Sequence, residues 1–424
     1  MSARVSVESD SLAVQPSYGL YPYQRQVLDD LLEILRPGSR DVVPNSRRVI
    51  AHMPTGAGKT RVACHAASSL LNRANAEGKV VVWLASTEEL CEQAADDLSR
   101  AWQHLGNRPI KIHRYWGSSS LDLYKLEAGF LVAGLPKLWE VSGRDVGLMQ
   151  GIADVTAGVI FDEAHQAIAR TYRYLAEQLL SYQPPLIGLT ATPGRSAEIG
   201  SPDYELAEMF GHNKVTIDSK GHGNPVKYLI RNDYLADPEF LPVKVSTHVQ
   251  VSQPKEGFDY TSINLRSLGD INIWQQAIID TTISALGDHK RVLVFCPSVS
   301  SARRCAEAVT NRGMRSEIVL GETPHDQRMA SIGRFRSDCS SPIVLFNYGV
   351  LTAGFDAPRT RCVIIARPTT SLVLYSQMVG RAMRGRRSGG NRTCRVYTVI
   401  DTDLPGFKSV AEAFINWEDL WKQE

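Results

Sequence analysis

The chain has 424 residues, enough for two or three domains of about 100–200 residues each, which excludes a single small module. Hydrophobic residues make up 43% and charged residues 22%, the balance of a folded globular protein, and no apolar run nears the roughly 18 residues that span a bilayer. Lys and Arg number 47 against 45 Asp and Glu, so a formal charge of +2 gives no global pull on a polyanion, and any nucleic acid must be held by local charge. Met1 to Ser17 lacks the apolar core of a signal peptide, and the expectation is a cytoplasmic protein with no membrane partner. The seven cysteines show neither Cys-x-x-Cys nor zinc spacing and read as reduced, buried small hydrophobes.

In chain order, apolar strand-like runs alternate with segments of helical spacing, the pattern of parallel sheets with crossover helices. The first set is Arg48 to Met53, Lys79 to Ala85, Lys111 to Trp116, Phe130 to Leu135, Gly158 to Ala164 and Pro185 to Thr192. The second is Arg291 to Pro297, Ser316 to Glu322, Pro342 to Gly349, Arg361 to Pro368 and Cys394 to Asp401. Between them the pattern loosens into Pro, Gly, Ser and charge, with one short run at Val243 to Val251. The expected organisation is an α/β protein: a flexible extension over 1–17, a first α/β domain over 18–200, a connecting region over 201–269, a second domain over 270–404 and a short helix over 405–424.

Met53-Pro54-Thr55-Gly56-Ala57-Gly58-Lys59-Thr60 follows a strand and opens a helix, the context of a phosphate-binding loop. Its glycines let backbone N–H groups turn toward phosphate oxygens at a helix N-terminus. Lys59 would reach the β/γ-phosphates of ATP and the Thr60 hydroxyl would ligate Mg²⁺. Met53 stands where the strict pattern has its first Gly. The run Val159 to Phe161 ends in Asp162 and Glu163, followed by Ala164 and His165. Asp162 would hold Mg²⁺, and Glu163 would orient and deprotonate the attacking water. Gln377 to Arg384 reads as a helix on which Arg381 and Arg384, three apart, share a face and converge on one anion.

These three segments, in this order and spacing, resemble motifs I, II and VI of superfamily 2 helicases and translocases. Tyr21-Pro22-Tyr23-Gln24 is similar to the adenine-reading element of that family, which puts Gln24 on the base. Ser86-Thr87-Glu88-Glu89-Leu90 resembles motif Ia, Gly134-Leu135-Pro136-Lys137 motif Ib, Thr190-Ala191-Thr192-Pro193 motif III, Phe295 to Ser298 motif IV, and Asn347 to Asp356 motif V. The likeness runs from about Tyr18 to Asp401 and is closer to the DNA-acting branch that includes type III restriction subunits and RadD-like repair proteins. Met378 stands where many DEAH-type RNA helicases carry Arg.

The resemblance implies two tandem RecA-like domains with ATP between them. Thr55, Gly56, Ala57, Gly58, Lys59, Thr60, Gly354 and Asp356 would bind ATP; Lys59, Asp162, Glu163, Arg381 and Arg384 would act on it. His165, Thr190, Thr192 and Gln377 would couple hydrolysis to the strand-binding face. The implied activity is a nucleic-acid-dependent ATPase, a helicase or translocase on DNA, suited to repair or phage defence, with a nuclease or other protein subunit as a further partner. An ATP-gated clamp without unwinding, and an RNA helicase, are the alternatives.

Ser86, Thr87, Gly134, Ser298, Thr352, Arg386 and Arg387 are the candidate strand contacts. Most have a plain competitor. Ser86-x-x-Glu89 has capping-box form, Ser298 and Thr352 read equally as N-caps, and the arginines equally as a solvated hairpin. Trp83, Trp102, Trp116, Trp139 and Trp274 read as core, with none singled out as a base platform. The aromatic stripe Phe414 to Trp421 packs back on a core or docks a partner.

Overall fold

The computed structural model describes residues 16–37, 46–74, 78–191, 202–221, 224–248, 259–337, 341–352, 355 and 357–401. Residues 1–15, Thr192, Gly354, Asp356 and the expected helix at 405–424 lie outside them.

The first sheet holds β1 (Arg48–His52), β2 (Val80–Ala85), β3 (Lys111–Tyr115), β4 (Gly129–Gly134), β5 (Thr156–Phe161), β6 (Leu186–Thr190) and β7 (Lys214–Thr216). The second holds β8 (Asp237–Val245), β9 (Arg291–Phe295), β10 (Arg315–Leu320), β11 (Ile343–Tyr348), β12 (Cys362–Ile365) and β13 (Thr393–Asp401). All pairings are parallel, in the orders β3-β4-β2-β5-β6-β1-β7 and β10-β11-β9-β12-β13-β8. These are the two helix-flanked sheets of tandem RecA-like domains.

Composition explains the sheets. The central strands β2 (Val-Val-Val-Trp-Leu-Ala) and β9 (Arg-Val-Leu-Val-Phe) are buried along their whole length, as parallel strands covered by helices on both faces must be. Each buried Val, Leu or Phe contributes about 1.5–3 kcal/mol. Apolar packing on one face of the first sheet runs on through Tyr228, Tyr234, Leu235 and Met383 into one face of the second.

The segment 201–269 differs from a loose connection. It supplies β7 to the first sheet and β8 to the far edge of the second, where β8 pairs along all of β13. β8 contains Pro238 and Pro242 and is only partly buried, which an edge strand tolerates and a central strand would not. Those prolines and Asp237, Glu239 and Lys244 hid the strand from an apolar-run reading, which placed the run later, at Val243 to Val251. Among the described residues, no helix is long and apolar enough to cross a membrane.

Candidate active site

In the first sheet β6 lies between β1 and β5. The loop after β1 and the carboxylates after β5 therefore emerge on one edge about 10 Å apart, two inter-strand spacings. The loop turns through Gly56 and Gly58, at φ 86° and 81°, left-handed values that cost an L side chain about 1–2 kcal/mol. Ala57 N–H closes the turn on Pro54 O at 3.0 Å. Gly58 then starts the helix Lys59–Arg73 without a side-chain cap, leaving its positive dipole end for an anion.

Gln24 lies beneath this loop, 3% exposed. Its amide donates to Ala57 O at 3.0 Å and accepts from Tyr21 N at 3.0 Å, and Tyr23 Oη donates to the same Ala57 carbonyl at 3.0 Å. A Cβ on Gly58 would lie 2.4 Å from Gln24 Nε2. The amide expected on a nucleobase here braces the phosphate loop. Lys59 Nζ donates to Met53 O at 3.3 Å. Burial pushes its pKa down, with Arg381 and Arg384 adding to the effect and Glu163 and Asp162 opposing it.

Asp162 and Glu163 follow β5 and are buried. Asp162 Oδ1 accepts Glu163 N–H at 2.9 Å; burial, and then the charge of Glu163, push its pKa up against the pull of Lys59. Glu163 Oε1 accepts from Gln377 Nε2 of the second domain at 3.2 Å. Its Oε2 lies 3.4 Å from His165 Nδ1, with neither atom in a hydrogen bond. Burial lowers the His165 pKa despite Glu163, which favours a neutral imidazole. Thr190 is fully buried and its carbonyl accepts Met53 N–H at 3.1 Å, tying the end of β6 to the phosphate loop.

The arginine segment departs from the helical expectation. The helix Leu372–Gly380 stops at Gly380, Arg381 is its C-cap, and Arg384 lies beyond it in an antiparallel bridge with Leu235. Arg384 Nη1 crosses to Gly56 O at 2.9 Å, whereas Arg381 Nη2 donates to Thr352 O at 2.6 Å and Nη1 to Phe355 O. The pair thus leaves the helix end toward different carbonyls, though both lie close enough to disfavour the charge on Lys59. A spacing of three suggested a shared face because the helix was extended past its end.

Two contributors carry no motif. Leu235 Cδ2 would sit 3.0 Å from a Cβ on Gly56, and Tyr234 packs on Tyr23 and Tyr21 at ring distances of 4.7 and 4.8 Å. The only sequence signal is the apolar trio Tyr234-Leu235-Ala236 between two aspartates. Arg387, expected on a strand, lies 4.9 Å over the Tyr234 ring and donates to its hydroxyl at 3.1 Å; Arg386 is exposed.

Of the candidate strand contacts, Thr87 and Ser298 are engaged locally as helix caps. Thr87, not Ser86, caps the helix Glu88–Leu105, accepting from Leu90 N at 3.3 Å, and the Ser86 hydroxyl is buried without a hydrogen bond. Ser298 caps Ser301 N at 3.1 Å. Gly134 is buried, with Trp116 Cβ 3.0 Å from where its own Cβ would stand. Glu89 meets Arg328 of the second domain at 2.5 Å.

Among the described residues no cluster of three or more His, Cys, Asp or Glu could hold a metal alone. The Thr60 hydroxyl and Asp162 carboxylate are nonetheless hard oxygen donors of the kind Mg²⁺ takes beside nucleotide phosphates, and their chemistry fits that ion.

Residues 17–195 match the family model of the type III restriction enzyme, res subunit, and residues 275–386 that of the helicase conserved C-terminal domain. IRC3 of Saccharomyces cerevisiae, named as an ATP-dependent helicase, is 23% identical over 92% of this chain and 52% of its own length. The type I restriction enzyme EcoAI endonuclease subunit of Escherichia coli is 23% identical over 92% of this chain and 46% of its own. The chain spans about half the length of these two relatives. Among solved structures, S. cerevisiae Dbp5 bound to RNA and ADP BeF3 superposes with a TM-score of 0.57 at 13% identity, covering 95% of this chain and 92% of that one, which shows the shared fold. The two models match in tandem, one over each sheet, so the chain carries the paired domains of an ATP-hydrolysing helicase, as the superfamily 2 resemblance implies.

Proposed function

We propose that the chain hydrolyses ATP between its two domains and uses the cycle to move along or remodel a DNA strand, in a repair or phage-defence setting and with a nuclease or other protein subunit beside it. The observation that supports this reading is the 3.2 Å hydrogen bond from Gln377 to Glu163, a direct link between the second domain and the expected general base. With ATP on the phosphate loop, Glu163 would take the proton of the attacking water. Lys59 would neutralise charge on the phosphates from one side of the cleft, and Arg384, already at Gly56 O, from the other. Mg²⁺ held by Thr60 and Asp162 would supply further charge neutralisation at the phosphates. Opening of the cleft would break the Gln377 and Arg384 links, so that hydrolysis and domain motion are coupled. DNA as the track is supported by the restriction-subunit model matched over the phosphate-loop domain.

The test is ATP turnover with no polymer and with single- or double-stranded DNA or RNA, at low and moderate salt. DNA should stimulate most, less so as salt rises. Lys59→Ala and Glu163→Gln should each lose about 10²–10⁴-fold in turnover, with Glu163→Gln still binding ATP. Full activity in either variant sinks the site assignment, and stronger stimulation by RNA sinks the DNA track.

A further inference from the structure

Trp83 and Trp274 are fully buried, whereas Trp139 is 41% exposed and packs edge-on against Tyr174, also 41% exposed, at a ring distance of 6.0 Å and an interplanar angle of 90°. The two side chains come from different elements. Trp139 lies in the helix Leu135–Ser142 directly after β4, and Tyr174 in the helix Arg170–Leu179, which follows β5 and the short turn Ala164–Ile168. β4 and β5 flank β2, so both helices start from the edge that carries the phosphate loop and the carboxylates. Each helix already has its core residues. Leu135 and Leu138 point inward on one, and Leu175, Ala176 and Leu179 on the other, so neither aromatic is needed for that packing. Arg170, exposed and one turn before Tyr174 on the same face, forms no ion pair among the described residues, and Arg144 is exposed just past the Trp139 helix.

We propose that Trp139, buttressed edge-on by Tyr174, is a stacking platform for an unpaired nucleobase, with the exposed Arg170, one turn before Tyr174, and Arg144, just past the end of the Trp139 helix, as the groups for the flanking phosphates. The proposal rests on the reading above that the chain grips a nucleic acid strand. A flat aromatic face beside guanidinium groups holds any base by stacking and its backbone by charge, without reading sequence. The platform supplies what the candidate hydroxyls at Thr87 and Ser298 do not, since those are committed to helix caps.

The experiment compares binding of a fluorescein-labelled oligothymidylate with that of an abasic strand of equal length, by anisotropy over a salt series. Trp139→Ala should weaken oligothymidylate binding by about 5- to 150-fold and leave the abasic strand unchanged, with the slope of affinity against salt preserved. Trp139→Phe should keep most of the affinity, and turnover without polymer should match wild type in both variants. Wild-type affinity for oligothymidylate in Trp139→Ala overturns the platform, as does equal loss for both strands, the mark of a general structural or protein-docking role. A wild-type chain that binds neither strand, and whose turnover no polymer raises, overturns the platform and the motor reading together.

Discussion

The nucleotide cleft and the strand face are built alike, from strand ends running into helices, yet they satisfy their polar groups in opposite ways. In the cleft the decisive partners come from the other domain: Gln377 for Glu163 and Arg384 for the Gly56 carbonyl. Among the strand-face candidates Thr87 and Ser298 are satisfied within their own first turns, while the ion pair of Glu89 with Arg328 crosses between domains. On the proposed function cleft chemistry would depend on domain closure, whereas the caps at Thr87 and Ser298, being local, would persist whether the domains are closed or open.

The hardest test of that dependence is steric. A Cβ on Gly380 would lie 2.1 Å from Thr55 Cγ2 in the phosphate loop, so Gly380→Ala should keep the domains from meeting as they do here. A displacement near 1 Å costs about 100-fold in turnover, and nucleotide binding to the first domain should persist. Turnover at the wild-type rate would show that closure of this form is not required.

The cleft also depends on the strand behind it. His52 ends β1 and its Nε2 meets Ala191 O at 3.1 Å. Burial, and then Lys214, push its pKa down to about 3 against that hydrogen bond. The unfolded chain takes up this proton as pH falls through about 6.5 while the folded chain does not, so stability falls with pH and the loss between pH 6.5 and 5 is about 2 kcal/mol. Thermal midpoints should drop over that window and do so less in His52→Gln; equal slopes would remove His52 as the cause. Gln377→Ala should act more mildly and only on turnover. It leaves Glu163 Oε1 without its cross-domain donor, a loss of about 10-fold, and an unchanged rate would cut the link proposed between the domains.

The eleven strands with apolar runs, the phosphate loop and the paired carboxylates were legible because each is a local pattern with a local cause: burial on both faces, a turn that needs glycine, a strand end. What stayed hidden is set by partners far along the chain. Nothing in the sequence around Gln24 shows that its amide braces the phosphate loop through the Ala57 carbonyl. Arg384 looks helical until the helix stops at Gly380 and Leu235 pairs with it. β8 reads as polar connection because an edge strand needs no continuous apolar run. Trp139 looks like core in sequence, and only the packing of Leu135 and Leu138 shows that the core is already filled.

The smallest effect separates capping from strand contact at Thr87. Its hydroxyl accepts from Leu90 N, so Thr87→Ala should lower stability by about 1 kcal/mol, and Thr87→Asp, an equally good cap that also favours the helix dipole, should restore it. The two variants differ in charge. If the hydroxyl only caps, strand affinity stays at the wild-type value in both. If a strand phosphate also sits on this helix end, the aspartate repels it, and Thr87→Asp recovers stability while losing affinity. That split result would break the contrast between the two faces, because a strand-face group would then serve fold and ligand at once.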